Sequence, residues 1–221
     1  LIPLQELEKS KHIVIESHKN NFPQASVLYS LMLLKHKKVS LFAKEEEKQY
    51  AFLPWYEKLR RNEPASADLK ISADMNILEL YTFLQKHEIK INAKMATALY
   101  AGFLKRYDNF LSPDCNGMLF AVLSELINLG ADHQLCVNEL TRKVLLSSVR
   151  LKSIIFKKVL LKKNARLATV RLCEEDFASS GATWSDVYDI AKELLNLVHV
   201  QEVEVTKSDE KDKIIKLSKE V

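Results

Sequence analysis

The sequence predicts an α/β protein of two domains: an N-terminal domain on a parallel sheet, a smaller C-terminal α/β domain, and a cleft between them. Three observations carry that reading. Residues 12–42 give a short strand, a polar turn, a helix and a second strand, which is a βαβ unit. The last third of the chain alternates apolar and polar residues in short runs around one amphipathic stretch. With 47% hydrophobic and 28% charged residues, 221 residues suit one large globular domain or two small ones.

The elements follow in order. His12 to Glu16 (HIVIE) is β-branched, and too short for a helix. Pro23 suits a first helical turn, Val27, Leu28, Leu31 and Leu34 continue at helical spacing, and Lys35 to Lys38 give a cationic end. Val39, Leu41 and Phe42 open the next strand. Open parallel sheets bind ligands beyond the carboxyl ends of their strands, so the loop Ser17 to Gln24 is the expected site. Phe52, Leu53, Trp55, Tyr56 and Leu59 read as core, with a base-stacking surface as the other reading. Asp68 to Asp74 (DLKISAD) is a third strand. Helical patterns cover 75–89 and 92–104, and another runs from Gly117 to Leu129 with Gly130 closing it at the C′ position. Further strands are expected near 158–162, 166–173, 200–206 and 213–217, with a helix over Trp184 to Val198. The domain boundary falls at 135/136, a lead-in helix opening the second domain, 136–221.

Only 4 Gly and 5 Pro argue for short connections and much helix. No apolar run approaches the ~20 residues of a membrane span. The opening LIPLQELEKS lacks the order of a signal peptide, so a cytoplasmic protein is expected. Cys115, Cys136 and Cys173 are far apart and form no CxxC, which speaks against zinc and against a disulfide framework. The net charge of +4 is uneven: from Thr141 to Leu172 there are ten basic residues and no acidic one. Such a run reads as a polyanion-binding surface or as a solvated face whose lysine stems cover apolar area.

Several stretches together resemble the DHH phosphoesterases, in particular the oligoribonuclease and 3′-phosphoadenosine 5′-phosphate phosphatase branch. His18-Lys19-Asn20-Asn21-Phe22-Pro23-Gln24-Ala25 is similar to that family's H-x-N-P-D-G-D-A. His18, Asn20 and Ala25 match, while Phe22 and Gln24 stand where the family has metal-binding aspartates. Asp68 to Asp74 resembles an apolar strand reading D-L-x-I-x-x-D, which puts Asp74 at a metal-binding position; Asp74 also reads as a helix N-cap. The strand ending in Asp-His-His has no counterpart, and His87, the histidine nearest to it, sits in a helical pattern. Residues 92–104 resemble the ATALYAGI stretch, after which Arg106 replaces the aspartate of the family's T-D-T-G-x-F and Asp108 lies two positions on. The family's Gly-Gly-Gly-His segment has no counterpart up to Val221.

The resemblance implies hydrolysis of phosphodiesters or phosphomonoesters with a pair of metal ions, usually manganese. Only His18 and Asp74 keep matching ligand positions, with Asn20 as a further remnant. The expectation is therefore a catalytically degenerate protein that needs no cofactor. It would bind a nucleotide or short single-stranded nucleic acid in a basic cleft through Arg106, Arg142, Lys143, Arg150, Lys157, Lys158, Lys162, Lys163 and Arg166. Two alternatives stay open. One is an active manganese-dependent phosphoesterase or oligoribonuclease with ligands rebuilt from His18, Asp74, Asp108 and His87. The other is a protein-interaction module whose partner is a second copy or another protein, with no role for a membrane.

Overall fold

A computed structural model describes residues 4–18, 20–44, 47–64, 66–142, 144–208 and 210–219. The chain divides into two compact units, Leu1–Lys143 and Val144–Val221. No described helix is long and apolar enough to cross a membrane.

The first unit opens with a short helix, α1 (Leu4–Lys9), and centres on a wholly parallel sheet. Its strands β1 (His12–Glu16), β2 (Lys38–Phe42), β3 (Leu59–Arg60) and β4 (Leu69–Ser72) lie in the order β3-β2-β1-β4. β1 is central, with Ile15 in register with Leu41 on one side and Ile71 on the other. The two-residue edge strand β3 is too short to carry a pattern legible in sequence. Asp68 ties the start of β4 to that of β1, its Oδ2 accepting the Lys11 and His12 backbone N–H groups at 2.8 Å each.

Helix α2 (Phe22–Leu34) makes the β1–β2 crossover, with Pro23 in its first turn. Nearly every residue of its first three turns is buried, because the sheet lies on one side and α4 (Ala93–Arg106) on the other. Ile13, Ile15, Leu41 and Ile71 from the sheet share this core with Leu28, Met32, Leu99 and Phe103. Gly102 lets α4 approach closely: a Cβ there would lie 2.6 Å from Ile77 Cδ1 and 3.3 Å from Pro23 Cβ. That approach brings the last turns of α4 to the first turns of α2 and α3 (Ile77–Lys86).

Among the described residues, β4 is followed by helices alone up to Leu160: α3, α4, α5 (Gly117–Asn128), α6 (His133–Val137), a π-helical turn at Asn138–Arg142, and α7 (Leu146–Lys158). Gly130 turns the chain after α5 with φ +92°. Cys136 is buried in the first unit's core, with Val137 and Leu140 packed against it. The segment after 135 that the sequence assigns to the second domain therefore divides, and the second unit opens at Val144.

The second unit carries its own sheet, in the order β5-β6-β7-β8, from β5 (Leu160–Lys162), β6 (Leu167–Leu172), β7 (Glu202–Lys207) and β8 (Glu210–Ser218). β6 and β7 are parallel and the outer pairs antiparallel. Alternation in β6 sends Ala168, Val170 and Leu172 to a core shared with Val203 and Val205. Helices α7, α8 (Glu174–Ser180) and α9 (Val187–Leu194) add Leu151, Ile155, Phe177, Ile190 and Leu194 to it. The helix expected over Trp184 to Val198 is shorter, because Thr183 and Asp186 close a capped 3-10 turn before α9.

Candidate functional site

The loop after β1 holds its shape through one side chain. Asn21 Oδ1 accepts the His18 backbone N–H at 2.7 Å and the Ser17 hydroxyl at 3.2 Å. Its Nδ2 donates to Asp74 Oδ1 at 2.6 Å, joining the loop to the residues beyond β4. Asp74 is thus not a helix cap. The cap of α3 is Asn76, whose Oδ1 accepts the Leu78 N–H at 2.9 Å, because the helix starts three residues beyond Asp74. Asn20 takes a left-handed conformation, φ +70°, its backbone N–H donating to Glu47 Oε1 and its Oδ1 accepting from Gln49 at 3.1 Å.

His18 Nε2 lies 3.7 Å from Glu16 Oε2 and 3.9 Å from Asp74 Oδ2, which makes ion pairs when the imidazole is protonated. Glu16, the last residue of β1, also meets the Lys70 ammonium at 3.1 Å, and Lys70 meets Glu63 at 2.9 Å. The Glu63 and Glu16 carboxylates together raise the Lys70 pKa, so the ammonium stays charged. Sequence reading missed Glu16, Lys70 and Asn21. The signal for the first was its place at the carboxyl end of a central strand.

The two positions that the resemblance gives to aspartates hold Phe22 and Gln24. Phe22 is 0% exposed, its ring centroid 5.1 Å from that of Tyr56 and 6.4 Å from that of Tyr50. Burial, and then the Glu47 carboxylate, push the Tyr50 phenol far up, which keeps it neutral. Gln24 donates from Nε2 to the Met75 carbonyl at 3.0 Å, while its enclosed Oε1 has no hydrogen-bond partner among the described residues. Arg106 ends α4 with its guanidinium 5.5 Å from the Tyr107 ring centroid. Asp108 begins a left-handed turn (Asp108, Asn109 and Phe110 at φ +47°, +58° and +65°), and the His87 ring lies tilted against Phe83 with centroids 4.5 Å apart. Neither pairs with His18 or Asp74, so of the four residues of the rebuilt-ligand alternative only His18 and Asp74 are brought together. The described residues hold no group of three or more His, Cys, Asp or Glu able to bind a metal ion.

A manganese pair does not fit this donor set. Hard divalent ions need several oxygen ligands. Here one position that the resemblance gives to a carboxylate is a buried benzyl ring, and another is a neutral amide without a carboxylate's charge. Glu16 is already neutralised by an ammonium.

The basic run is divided among several surfaces. Lys158 pairs with Asp176 at 2.6 and 2.7 Å, Lys163 pairs with Glu202 at 3.4 Å, and Arg142 bonds Asn138 Oδ1 at 3.2 Å. Arg150 and Lys157 are exposed on α7. Lys162, in register with Leu167, lies on the sheet face opposite the core, with Arg166 in the following turn. Lys143 lies outside the described residues. Buried Asp176 would have a raised pKa, but Lys158 and the Cys173 N–H and thiol outweigh burial and hold its carboxyl below the usual range.

No protein-family model matches the chain, and no curated protein does. Among solved structures, the fold is that of an exopolyphosphatase-related protein from Bacteroides fragilis. The likeness has a TM-score of 0.77 at 13% identity, over 96% of this chain and 79% of that one. A putative family II inorganic pyrophosphatase of Methanococcus jannaschii covers 89% of this chain and 64% of its own at a TM-score of 0.31 and 13% identity, a likeness too weak to argue from. What the first comparison establishes is a mixed α/β fold with a parallel four-stranded sheet and a second, separate sheet.

Proposed function

We propose that this chain is a DHH-phosphoesterase-like protein that binds the phosphates of a nucleotide or short single-stranded nucleic acid without hydrolysing them. The observation that carries the reading is Phe22. A fully buried ring between two tyrosines occupies the motif position that the family resemblance assigns to a metal ligand. Around His18 and Asp74 the described residues supply no ligand set for the metal pair that such hydrolysis uses.

Binding falls to the second unit's cations. Lys162, Arg166 and Arg171 are exposed and make no ion pair with a described residue. Alternation places Lys162 and Arg171 on the same open sheet face as Leu167 and Thr169. Phosphate binding of this kind gives affinity without sequence preference and weakens with salt. The test is fluorescence anisotropy of a labelled oligonucleotide at about 50 and about 200 mM salt. Replacing Lys162, Arg166 and Arg171 by Glu should lower the salt slope by about 0.7 for each phosphate that the removed cations neutralise. Wild-type protein that binds nothing at the lower salt ends this reading.

A further inference from the structure

Helix α7 has two apolar sides, and the second unit's core uses one of them. Leu151 and Ile155 are fully buried in that core. On the opposite side Leu146, Val149 and Phe156 remain 63%, 50% and 38% exposed, with exposed Ser153 between them. The steps from 146 to 149, 153 and 156 are three, four and three residues, the a/d spacing of a heptad seam. In that register Arg150 and Lys157 hold the e positions and Lys152 a g position. Lys152 is ion-paired with Glu193 and lies 5.9 Å from the Phe156 ring, whereas Arg150 and Lys157 make no ion pair with a described residue. No acidic residue occurs anywhere from Thr141 to Leu172.

We propose that this face of α7 docks one amphipathic helix of a partner protein, apolar along a single seam and acidic on its flanks. Three features select that occupant. Within α7 the seam is narrow, with exposed Leu145 beside it only at the helix start, whereas a helix lying in a bilayer surface presents a broad apolar face. Ser153 at its middle lets a second backbone come close. The flanking charges are all basic, so a second copy of α7 would set Arg150 and Lys157 against their own kind, while Glu or Asp on the partner would complement them. At 1.5 Å per residue the 13-residue helix is about 20 Å long, enough for about three turns of a partner. The phosphate surface uses Lys162, Arg166 and Arg171 instead, so the two proposals stand independently.

The probe is a peptide of about 21 residues with Leu at a and d and Glu at e and g, whose like charges keep it from pairing with itself at neutral pH. Titrated with the full chain, it should bind saturably with a micromolar Kd and gain helicity in circular dichroism. Leu146→Asp/Val149→Asp should weaken binding at least tenfold, and Arg150→Glu/Lys157→Glu at least about threefold, more at low salt. Lys162→Glu/Arg166→Glu should leave it unchanged. All changed positions are exposed, and thermal unfolding of each variant verifies that the second unit stays folded. Absence of binding up to about 1 mM peptide, or equal binding by the Leu146/Val149 variant, overturns the proposal. So does a dimer of the free chain that Val149→Asp dissolves, which would give the face to a second copy. Binding to vesicles of about 30% phosphatidylserine that Val149→Asp abolishes would give it to lipid and overturns the proposal as well.

Discussion

Putting the family's acid back at position 22 tests whether the loop after β1 is a metal pocket or part of the core. Phe22 is fully buried, flanked by Tyr50 and Tyr56, and its truncation to Ala should cost about 3–5 kcal/mol. Phe22→Asp removes the same packing and puts a carboxylate at a fully buried position, so it should cost more than Phe22→Ala. With a urea dependence of about 1–3 kcal/mol per molar, the midpoint of the first unit should fall by more than about 1 M. Trp55, packed on Tyr29 with centroids 5.1 Å apart, reports that unit when Trp184 is first changed to Phe. Equilibrium urea unfolding followed by Trp55 fluorescence makes the comparison, with calorimetric titration of manganese alongside. A Phe22→Asp protein that unfolds at the wild-type midpoint and binds manganese would refute the packing argument, because the site would then have room and ligands for an ion.

Three further outcomes follow from the same geometry. Asn21→Ala should cost about 1.5–3 kcal/mol by removing its bond to the Asp74 carboxylate, and should speed hydrogen exchange of the His18 amide that Asn21 Oδ1 now accepts. Ala165→Gly should stabilise the second unit by about 1 kcal/mol, since Ala165 sits at φ +65° in the β5–β6 turn, and a thermal melt reads the gain. The Asp176 carboxyl titrates below its ordinary value in the folded chain, so the stability it contributes is complete above that value and is lost as pH falls through the depressed one. Urea midpoints between about pH 5 and pH 3 should therefore drop more steeply for wild type than for Lys158→Ala.

The βαβ unit was legible because three signals agree over thirty residues: a β-branched run, a polar turn with Pro23, and a new apolar run after a cationic helix end. The strand β6 was legible because one of its faces meets core and the other does not. Helix α2 shows little helical periodicity in its burial because it is enclosed by a sheet and a second helix. Asp74 was ambiguous in sequence, since an Asp ahead of a helical pattern is a good cap, and only the actual helix start at Ile77 releases it to Asn21. The Glu16–Lys70 pair joins two strands that are neighbours only through sheet order, which a single sequence does not disclose. The basic run looks continuous along the chain, yet a helical and then a strand period scatter it. Lys157 and Lys158 are adjacent, but one faces solvent and the other Asp176.

The measurement that bears most directly on the account is a time course of anisotropy for a short single-stranded oligonucleotide labelled at one end, mixed with the full chain in low salt and millimolar manganese. The account predicts that anisotropy rises on mixing and then holds, with the oligonucleotide recovered intact. A signal that rises and then decays as labelled mononucleotide is released would show a working phosphodiesterase and contradict it, and so would no rise at all.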